Sequence, residues 1–289
     1  MPWWQIELEA GAADPQRLAD FLQAQGAISV TLTDAADQPL FEPEPGTTPL
    51  WSATRITALF ELETAPGILR EALAEQFGAS LAERARESVL EDQDWERVWL
   101  ERFRPMRFGQ RLWVCPAGQR PRAEPDPVIV DLDPGLAFGT GTHPTTALCL
   151  EWLDAHPPAG HAVLDYGSGS GILAVAALKL GAERLWAVDI DPQALQSTRD
   201  NATRNGVEGG LSVGLPDALP ADAVFDLLLA NILANPLIEL APALAGRVKP
   251  GGDILLSGIL AQQAEAVRTA YAPWFALDDA VAREDWVRI

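Results

Sequence analysis

The stretch Val163-Leu-Asp-Tyr-Gly-Ser-Gly-Ser-Gly171 joins a short apolar run to three glycines at alternate positions, and an alanine-rich segment follows it directly. A second apolar run, Leu185-Trp-Ala-Val-Asp-Ile-Asp191, ends in acidic residues of its own. An apolar run, a glycine-rich turn, a helix and another apolar run predict a βαβ unit, which holds a nucleotide-like ligand at the carboxyl ends of its strands. We expect the rest of the chain to be organised around this unit.

Strand-length and helix-length segments alternate throughout residues 107–289. The strands are continuous apolar runs, which is typical of parallel strands buried on both faces. The pattern predicts an α/β fold with a Rossmann-like, doubly wound and mostly parallel sheet. The tail, residues 284–289, is expected to close one edge of this sheet.

The first 92 residues predict a smaller domain of a different class. Short alternating segments and two helical segments follow one another in the order βαββαβ, which is the order of a ferredoxin-like α+β domain. Residues 93–106 are predicted to form a linker helix, because Trp95, Val98, Trp99 and Arg102 recur at helical spacing before Pro105. The predicted domains are therefore 1–92 and 107–289, joined by this linker.

The charge of the chain limits its partners. The net charge is −20, which argues against a phosphate backbone and favours a basic protein or a cationic small molecule. Residues 1–92 hold 5 Arg and 16 Asp or Glu, so we expect no direct nucleic-acid binding although RNA-binding domains share this fold. The first domain is expected to recognise a basic protein, and a purely structural appendage is the alternative.

Cysteine content and hydropathy point to a cytoplasmic protein without a membrane span. The two cysteines, Cys115 and Cys149, are too few for a disulfide framework and lack metal-ligand spacing. No apolar run reaches about 18 residues, and the start has no basic segment of a secretion signal. We expect a monomer that holds no metal.

The spacing of Gly167, Gly169 and Gly171 limits the classes of ligand that the glycine turn can bind. A dinucleotide fingerprint has the form G-x-G-x-x-G, but position 172 is Ile, and no Gly-Lys-Ser/Thr follows as in a P-loop. The three glycines are therefore candidate cofactor-binding residues for a ligand other than a dinucleotide.

Two carboxylates complete this interpretation. Asp165 precedes the glycines and would repel a pyrophosphate, but it would attract an ammonium group. Asp189 ends the next strand, where a carboxylate can accept hydrogen bonds from both hydroxyls of a ribose. The residues therefore favour S-adenosyl-L-methionine, which has an ammonium group and no phosphate, over NAD or FAD.

Two further segments supply candidate polar groups. Glycine-rich residues 132–146 run into a helix start, where the hydroxyls of Thr145 and Thr146 can hold a carboxylate. A capping or buried role is the alternative for Thr146. Asn231 directly follows an apolar strand, and its carbonyl can orient an amine, so it is the candidate catalytic residue. His143 lies close by, but no general base is assigned.

The segments 131–146, 163–171, 185–206 and 226–236 together resemble the methyltransferases of large-subunit ribosomal protein eleven, the PrmA family. The strings Gly135-Leu-Ala-Phe-Gly-Thr-Gly-Thr-His-Pro-Thr-Thr146 and Asn231-Ile-Leu-Ala-Asn-Pro236 carry most of this resemblance. It implies methyl transfer from S-adenosyl-L-methionine to lysine side chains and the N-terminal α-amine of that protein, up to trimethylation. It also implies cofactor contacts at Thr146, Gly167, Asp189 and Asn231, with the first domain gripping the substrate.

Three alternatives remain from the residues alone. The same cofactor domain could methylate RNA or a small molecule. An NAD-dependent oxidoreductase is opposed by the glycine spacing and by Asp165. A binding module without enzymatic activity is opposed by the combination of the glycine loop, Asp189 and Asn231.

Overall fold

The computed structural model describes residues 2–36, 38, 50–62, 66–90, 104–116, 118–121, 126–132 and 141–289. Contacts within the chain divide it into two compact units, Met1–Val98 and Trp99–Ile289. The predicted linker helix lies outside the described residues except for its end, where Arg104 and Pro105 have no regular structure and Met106 already begins a strand. The domain boundaries at 92 and 106 stay predictions.

The N-terminal unit contains an antiparallel sheet of four strands in the order β2-β3-β1-β4. Its elements are β1 Trp3–Glu9, α1 Pro15–Ala24, β2 Ser29–Asp34, β3 Thr54–Glu61, α2 Pro66–Phe77, α3 Ala79–Arg84 and β4 Arg86–Leu90. The strands and the two long helices follow one another in the order that the ferredoxin-like prediction requires. The short helix α3 was not predicted.

One face of this sheet forms the core of the N-terminal unit. Trp4, Ile6 and Leu8 are the buried, alternating residues of β1, and they pack with residues of both long helices, including Leu18 and Leu73. The residues between them on β1 point to the opposite face, because successive side chains of a strand alternate.

The larger unit begins with three short strands, β5 Met106–Phe108, β6 Leu112–Pro116 and β7 Val128–Leu132, which form a sheet of their own. The first of them was not predicted. The buried carboxylate of Asp154 accepts hydrogen bonds from the backbone N–H groups of Gln110, Arg111 and Leu112. This contact holds the turn between β5 and β6 against the helix that contains Asp154.

The main sheet has five strands in the order β10-β9-β8-β11-β12, and every pairing in it is parallel. The remaining elements of the unit are α4 Pro144–Ala155, β8 Ala162–Tyr166, α5 Ile172–Lys179, β9 Arg184–Val188, α6 Pro192–Asn205, β10 Leu211–Gly214, β11 Phe225–Asn231, α7 Ala234–Ala245, β12 Val248–Ser257, β13 Ile259–Leu260, α8 Ala264–Tyr271, β14 Val281–Arg283 and β15 Trp286–Arg288.

Both faces of this sheet are buried, as the apolar strands predicted. Val163 of β8 belongs to a core cluster with residues of α5, and its neighbour Leu164 belongs to a second cluster with residues of α7. The doubly wound α/β prediction is therefore confirmed. Functional side chains of such a sheet collect at the carboxyl ends of its strands, since the faces are occupied by packing.

The C-terminal segment differs in part from its prediction. Most of it pairs within a small antiparallel sheet of order β13-β15-β14. Its last residues also contact the main sheet. Ile289 exchanges two backbone hydrogen bonds of 2.9 Å with Leu256 of the edge strand β12, and the carbonyl of Val287 accepts a hydrogen bond of 3.2 Å from the hydroxyl of Ser257. The last helix starts at Ala264, because Leu260 pairs with Trp286 and belongs to β13.

Candidate active site

Three predicted site residues lie at the carboxyl ends of adjacent strands. Asp165 is in β8, Asp189 directly follows β9, and Asn231 ends β11. In the register of the sheet, Asp165 lies between Ala187 of β9 and Leu229 of β11. The parallel topology thus brings together side chains that are up to 66 positions apart in the sequence.

The glycine turn has a backbone that needs glycine at all three positions. Gly167, Gly169 and Gly171 have φ angles of 81°, 54° and 75°, in the region where other residues are strained. A Cβ atom on Gly167 would lie 2.2 Å from Cγ2 of Ile232, and one on Gly171 would lie 2.8 Å from Cγ2 of Thr198. Close packing and turn geometry therefore explain the G-x-G-x-G pattern together.

Helix α6 fixes this turn through polar contacts that the sequence interpretation missed. Thr198 donates its hydroxyl to the carbonyl of Gly169 at 3.1 Å and lies 3.1 Å from the hydroxyl of Ser168. Asn201 donates its side-chain amide to the carbonyl of Ser170 at 2.9 Å. Both helix residues are buried, and polar residues on the apolar face of α6 were the signal that could have revealed them.

Asp165 is a buried carboxylate, and one of its two oxygens accepts a hydrogen bond. Oδ2 accepts a hydrogen bond from the backbone N–H of Ala174 at 3.1 Å. Oδ1 is buried and has no hydrogen-bond partner among the described residues. Burial raises the pKa of Asp165 from 3.8 to about 7; the bond from Ala174 acts in the lowering direction and nearby Asp189 in the raising direction. A buried acceptor of this kind is costly unless a donor reaches it.

Asp189 takes part in the turn and is also accessible. Its Oδ2 accepts from the backbone N–H of Gly169 at 2.9 Å, and its Oδ1 accepts from that of Asp191 at 3.0 Å. Each oxygen keeps a lone pair for a ligand hydroxyl. The next residue, Ile190, is 82% exposed, and such an apolar residue between two acids at this edge was not singled out from the sequence.

The start of α4 contains the predicted threonines, both of them buried. His143 caps the helix, and its Nδ1 lies 2.8 Å from the hydroxyl of Thr145. The hydroxyl of Thr146 accepts a hydrogen bond of 3.3 Å from Nδ2 of Asn231. Thr145 is thus engaged by His143, while Thr146 connects the helix to Asn231. Residues 133–140 of the glycine-rich segment lie outside the described residues.

Asn231 borders a cavity. Its Oδ1 is buried and has no partner among the described residues. The cavity beside it measures about 370 Å³, and Ile232, Leu233, Gly258 and Trp286 contribute to its wall. A Cβ atom on Gly258, whose φ is 84°, would lie 2.2 Å from the carbonyl oxygen of Ile232. The end of β12 can therefore approach this segment so closely only with glycine there.

Comparison with known proteins agrees with this geometry. Residues 2–289 match the family described as Ribosomal protein L11 methyltransferase (PrmA). A relative named Ribosomal protein L11 methyltransferase from Pseudomonas aeruginosa (strain LESB58) is 56% identical over 289 residues. One of the same name from Marinobacter nauticus is 52% identical over 293 residues. Both matches cover 100% of this chain and 98% of the relative.

The chain belongs to this family. A crystal structure of a ribosomal protein L11 methylase from Lactobacillus delbrueckii subsp. bulgaricus matches with a TM-score of 0.59 and 33% identity, over 64% of this chain and 96% of that one. Membership of the PrmA family confirms the resemblance, the class I methyltransferase fold and S-adenosyl-L-methionine as the cofactor. The oxidoreductase and the binding module are thereby excluded.

Across the described residues, no helix combines the length and apolar character that crossing a bilayer requires.

Proposed function

We propose that the protein transfers methyl groups from S-adenosyl-L-methionine to amino groups of ribosomal protein L11, namely lysine side chains and the N-terminal α-amine, up to trimethylation. The observation that carries this proposal is that two buried oxygens at one edge of the sheet, one on Asp165 and one on Asn231, have no hydrogen-bond partner in the part of the chain that the structure describes. One oxygen suits the ammonium group of the cofactor, and the other suits an acceptor amine. Both belong to a chain of the PrmA family.

The cofactor is held by residues of three strand ends. Asp165 would pair with the ammonium group through its unused oxygen, and Asp189 would accept hydrogen bonds from the ribose hydroxyls. The exposed side chain of Ile190 offers an apolar surface to the adenine ring. Gly167, Gly169 and Gly171 let the backbone approach the ligand, and Thr146 adds a polar group at the start of α4. These roles fit the donors and acceptors that the structure leaves available.

The acceptor amine is oriented by Asn231. An amine N–H can donate to Oδ1 of Asn231, which turns the nitrogen lone pair toward the methyl group. S-adenosyl-L-methionine supplies that group bound to a sulfonium, which makes it electrophilic. The amine must be neutral to attack, and the apolar cavity lowers its pKa from about 10.4 by desolvation.

No side chain of the site is assigned as a general base. His143 is the closest histidine, but its ring is engaged with Thr145, and burial lowers its pKa. The amine therefore gives its proton to water as it enters the cavity, where desolvation favours the neutral form. Asn231, which orients the amine, therefore remains the proposed catalytic residue.

The N-terminal unit is proposed as the part that recognises the substrate protein. Its excess of acids complements a basic ribosomal protein, and one face of its sheet is not covered by its own helices. We further propose that the protein acts in the cytoplasm as a monomer and does not contact nucleic acid directly.

The test is an intact-mass measurement of purified ribosomal protein L11 after incubation with the enzyme and the cofactor. We expect mass additions in multiples of one methyl group, with up to three on a single amine. The matched control is the same substrate with all amines acetylated beforehand, which should gain no mass. Equal gains in both samples would show that amines are not the acceptors.

A further inference from the structure

The cavity beside Asn231 has a wall that the proposed cofactor contacts do not use. Leu233 is 47% exposed although it is a large apolar residue. Trp286 and Gly258 also line this cavity. A volume of about 370 Å³ is in the range of small-ligand pockets. An exposed leucine, a tryptophan and a buried carbonyl oxygen that accepts no hydrogen bond from any described residue suit an apolar partner that also carries a hydrogen-bond donor.

The ring of Trp286 is held in place from two sides. The backbone of Trp286 pairs with Leu260 of β13, and the ring packs edge-on against His143 with 4.9 Å between ring centroids. His143 is in turn fixed by Thr145, and the adjacent Thr146 bonds Asn231. The tryptophan wall and the amine-orienting residue thus belong to one connected set of contacts.

Successive methylation changes the bulk, hydration and charge of the amine, and these are properties to which this wall can respond. An amine that has received methyl groups is bulkier and less hydrated, and after the third transfer it is permanently cationic. The face of an indole ring attracts such cations more strongly than other aromatic rings do. Glu284 and Asp285 form the turn between β14 and β15 directly before Trp286, and they add negative charge beside the wall. The wall therefore suits a methylated amine, whose nitrogen becomes positively charged in each transfer, better than an unmethylated one.

We propose that Trp286, together with Leu233, retains the partly methylated amine and so sets how many methyl groups one amine receives; this rests on the proposed function. In each transfer the nitrogen lone pair forms the N–C bond, and the C–S bond breaks with its electrons remaining on sulfur. After the first and second transfers the nitrogen loses a proton to water. After the third no proton remains to be lost.

The test compares Trp286→Ala and Trp286→Phe with Trp274→Ala, which removes a half-exposed tryptophan from another part of the same unit. Mass spectrometry follows the mono-, di- and trimethylated forms of ribosomal protein L11 over time. We expect Trp286→Ala to accumulate lower methylation states, with the third transfer slowed roughly tenfold. Trp286→Phe should retain much of the third transfer, and Trp274→Ala should match the wild type.

A second readout does not depend on turnover. Calorimetry measures how tightly each variant binds trimethyl-lysine amide, and we expect Trp286→Ala to lose roughly tenfold in affinity while its affinity for the cofactor is unchanged. If Trp286→Ala does not fold, Leu233→Ala at the exposed edge of the wall must show the same trend in methylation state. Wild-type product ratios and trimethyl-lysine affinity in the folded variants would overturn the proposal. A wild-type enzyme that methylates no amine of ribosomal protein L11 would instead refute the proposed function.

Discussion

Strand β8 of the larger unit buries four of its five residues, whereas strand β1 of the N-terminal unit buries every second residue. The parallel sheet around β8 is covered on both faces, so its polar chemistry is confined to the carboxyl ends of the strands. The antiparallel sheet around β1 packs one face on its helices, so polar residues extend along the other. The larger unit thus has its polar site at a sheet edge, and the N-terminal unit has a polar sheet face, which is the surface that we propose binds the substrate protein.

Because of this difference, the sheet edge and the sheet face can be tested by separate variants. Changes at the edge should alter cofactor affinity or the chemical step. Changes on the face should alter only recognition of the protein substrate. The variants of Gly258, Asp189 and Glu7 below are each paired with a control in the same unit.

The largest effect is expected from Gly258→Ala. The new Cβ would overlap the backbone of Ile232, which shifts the segment that begins with Asn231. We expect a loss of stability on the order of 3 kcal/mol and a loss of activity of about a hundredfold or more. Gly206→Ala is the control, because Gly206 has a similar positive φ but no atom within 4 Å of the added Cβ. Gly206→Ala should lower the free energy of unfolding by about 1 kcal/mol and leave the activity unchanged. Equal effects of the two variants on thermal unfolding and on turnover would contradict the role given to close packing at Gly258.

The second effect concerns Asp189→Ala. Removing the carboxylate deletes the ribose acceptor and the contact to Gly169, so the affinity for S-adenosyl-L-methionine should fall at least about tenfold. Asp191→Ala is its neighbour control, since Asp191 caps α6 by accepting from Gln193. That variant should lose about 1 kcal/mol of stability and keep its affinity. Titration calorimetry showing unchanged affinity in Asp189→Ala would remove Asp189 from the site.

A third effect is a pH dependence that Asp165 creates. Its pKa is raised from 3.8 to about 7 in the folded chain, so between these values the folded state binds more protons than the unfolded state. The unliganded protein should therefore lose stability as the pH rises from about 4 to about 7. The ammonium group of the cofactor pairs with the ionised carboxylate, so cofactor affinity should rise severalfold between about pH 6 and pH 8.

Asp165→Asn separates this carboxylate from other titrating groups. The amide keeps the shape but cannot ionise, so denaturant titrations should show a flatter pH dependence of the free energy of unfolding. Calorimetry should likewise show weaker and nearly pH-independent cofactor binding. A variant that retains the full wild-type slope in both measurements would place the titrating group elsewhere.

The smallest effect is expected on the N-terminal unit. Glu7 of β1 points away from the helices and lies 3.7 Å from Arg55. Glu7→Lys should raise the KM for ribosomal protein L11 by roughly two- to fivefold, because it reverses a charge on the face that we propose binds the basic substrate. Cofactor affinity should stay unchanged. Glu75→Lys, on the exposed side of α2, is the control with the same charge change. Equal KM values for the two variants would mean that net charge rather than the sheet face guides the substrate.

Much of the fold could be predicted because its signals are local. The glycine turn and the apolar strands on either side of it are each encoded by a few consecutive residues, and the structure has them at these positions. Strand β5 was missed because three residues carry too little pattern to distinguish a strand from a loop.

The candidate site could be predicted only in part. Asp165, Asp189 and Asn231 each follow an apolar run, and parallel topology is enough to bring their strand ends together. The buried state of Asp165, the bond between Asn231 and Thr146, and the support of the turn by Thr198 depend on packing between distant segments. The same holds for Trp286, which reaches the cavity from the last strand of the chain. No local pattern encodes such contacts.

The most direct test supplies methyl-labelled S-adenosyl-L-methionine to the full chain with total ribosomal proteins, with total RNA, or with neither. The account predicts label in one ribosomal protein, L11, held on amines in multiples of one methyl group, and none in RNA. Label in RNA, or label spread over many proteins without preference for L11, would contradict it.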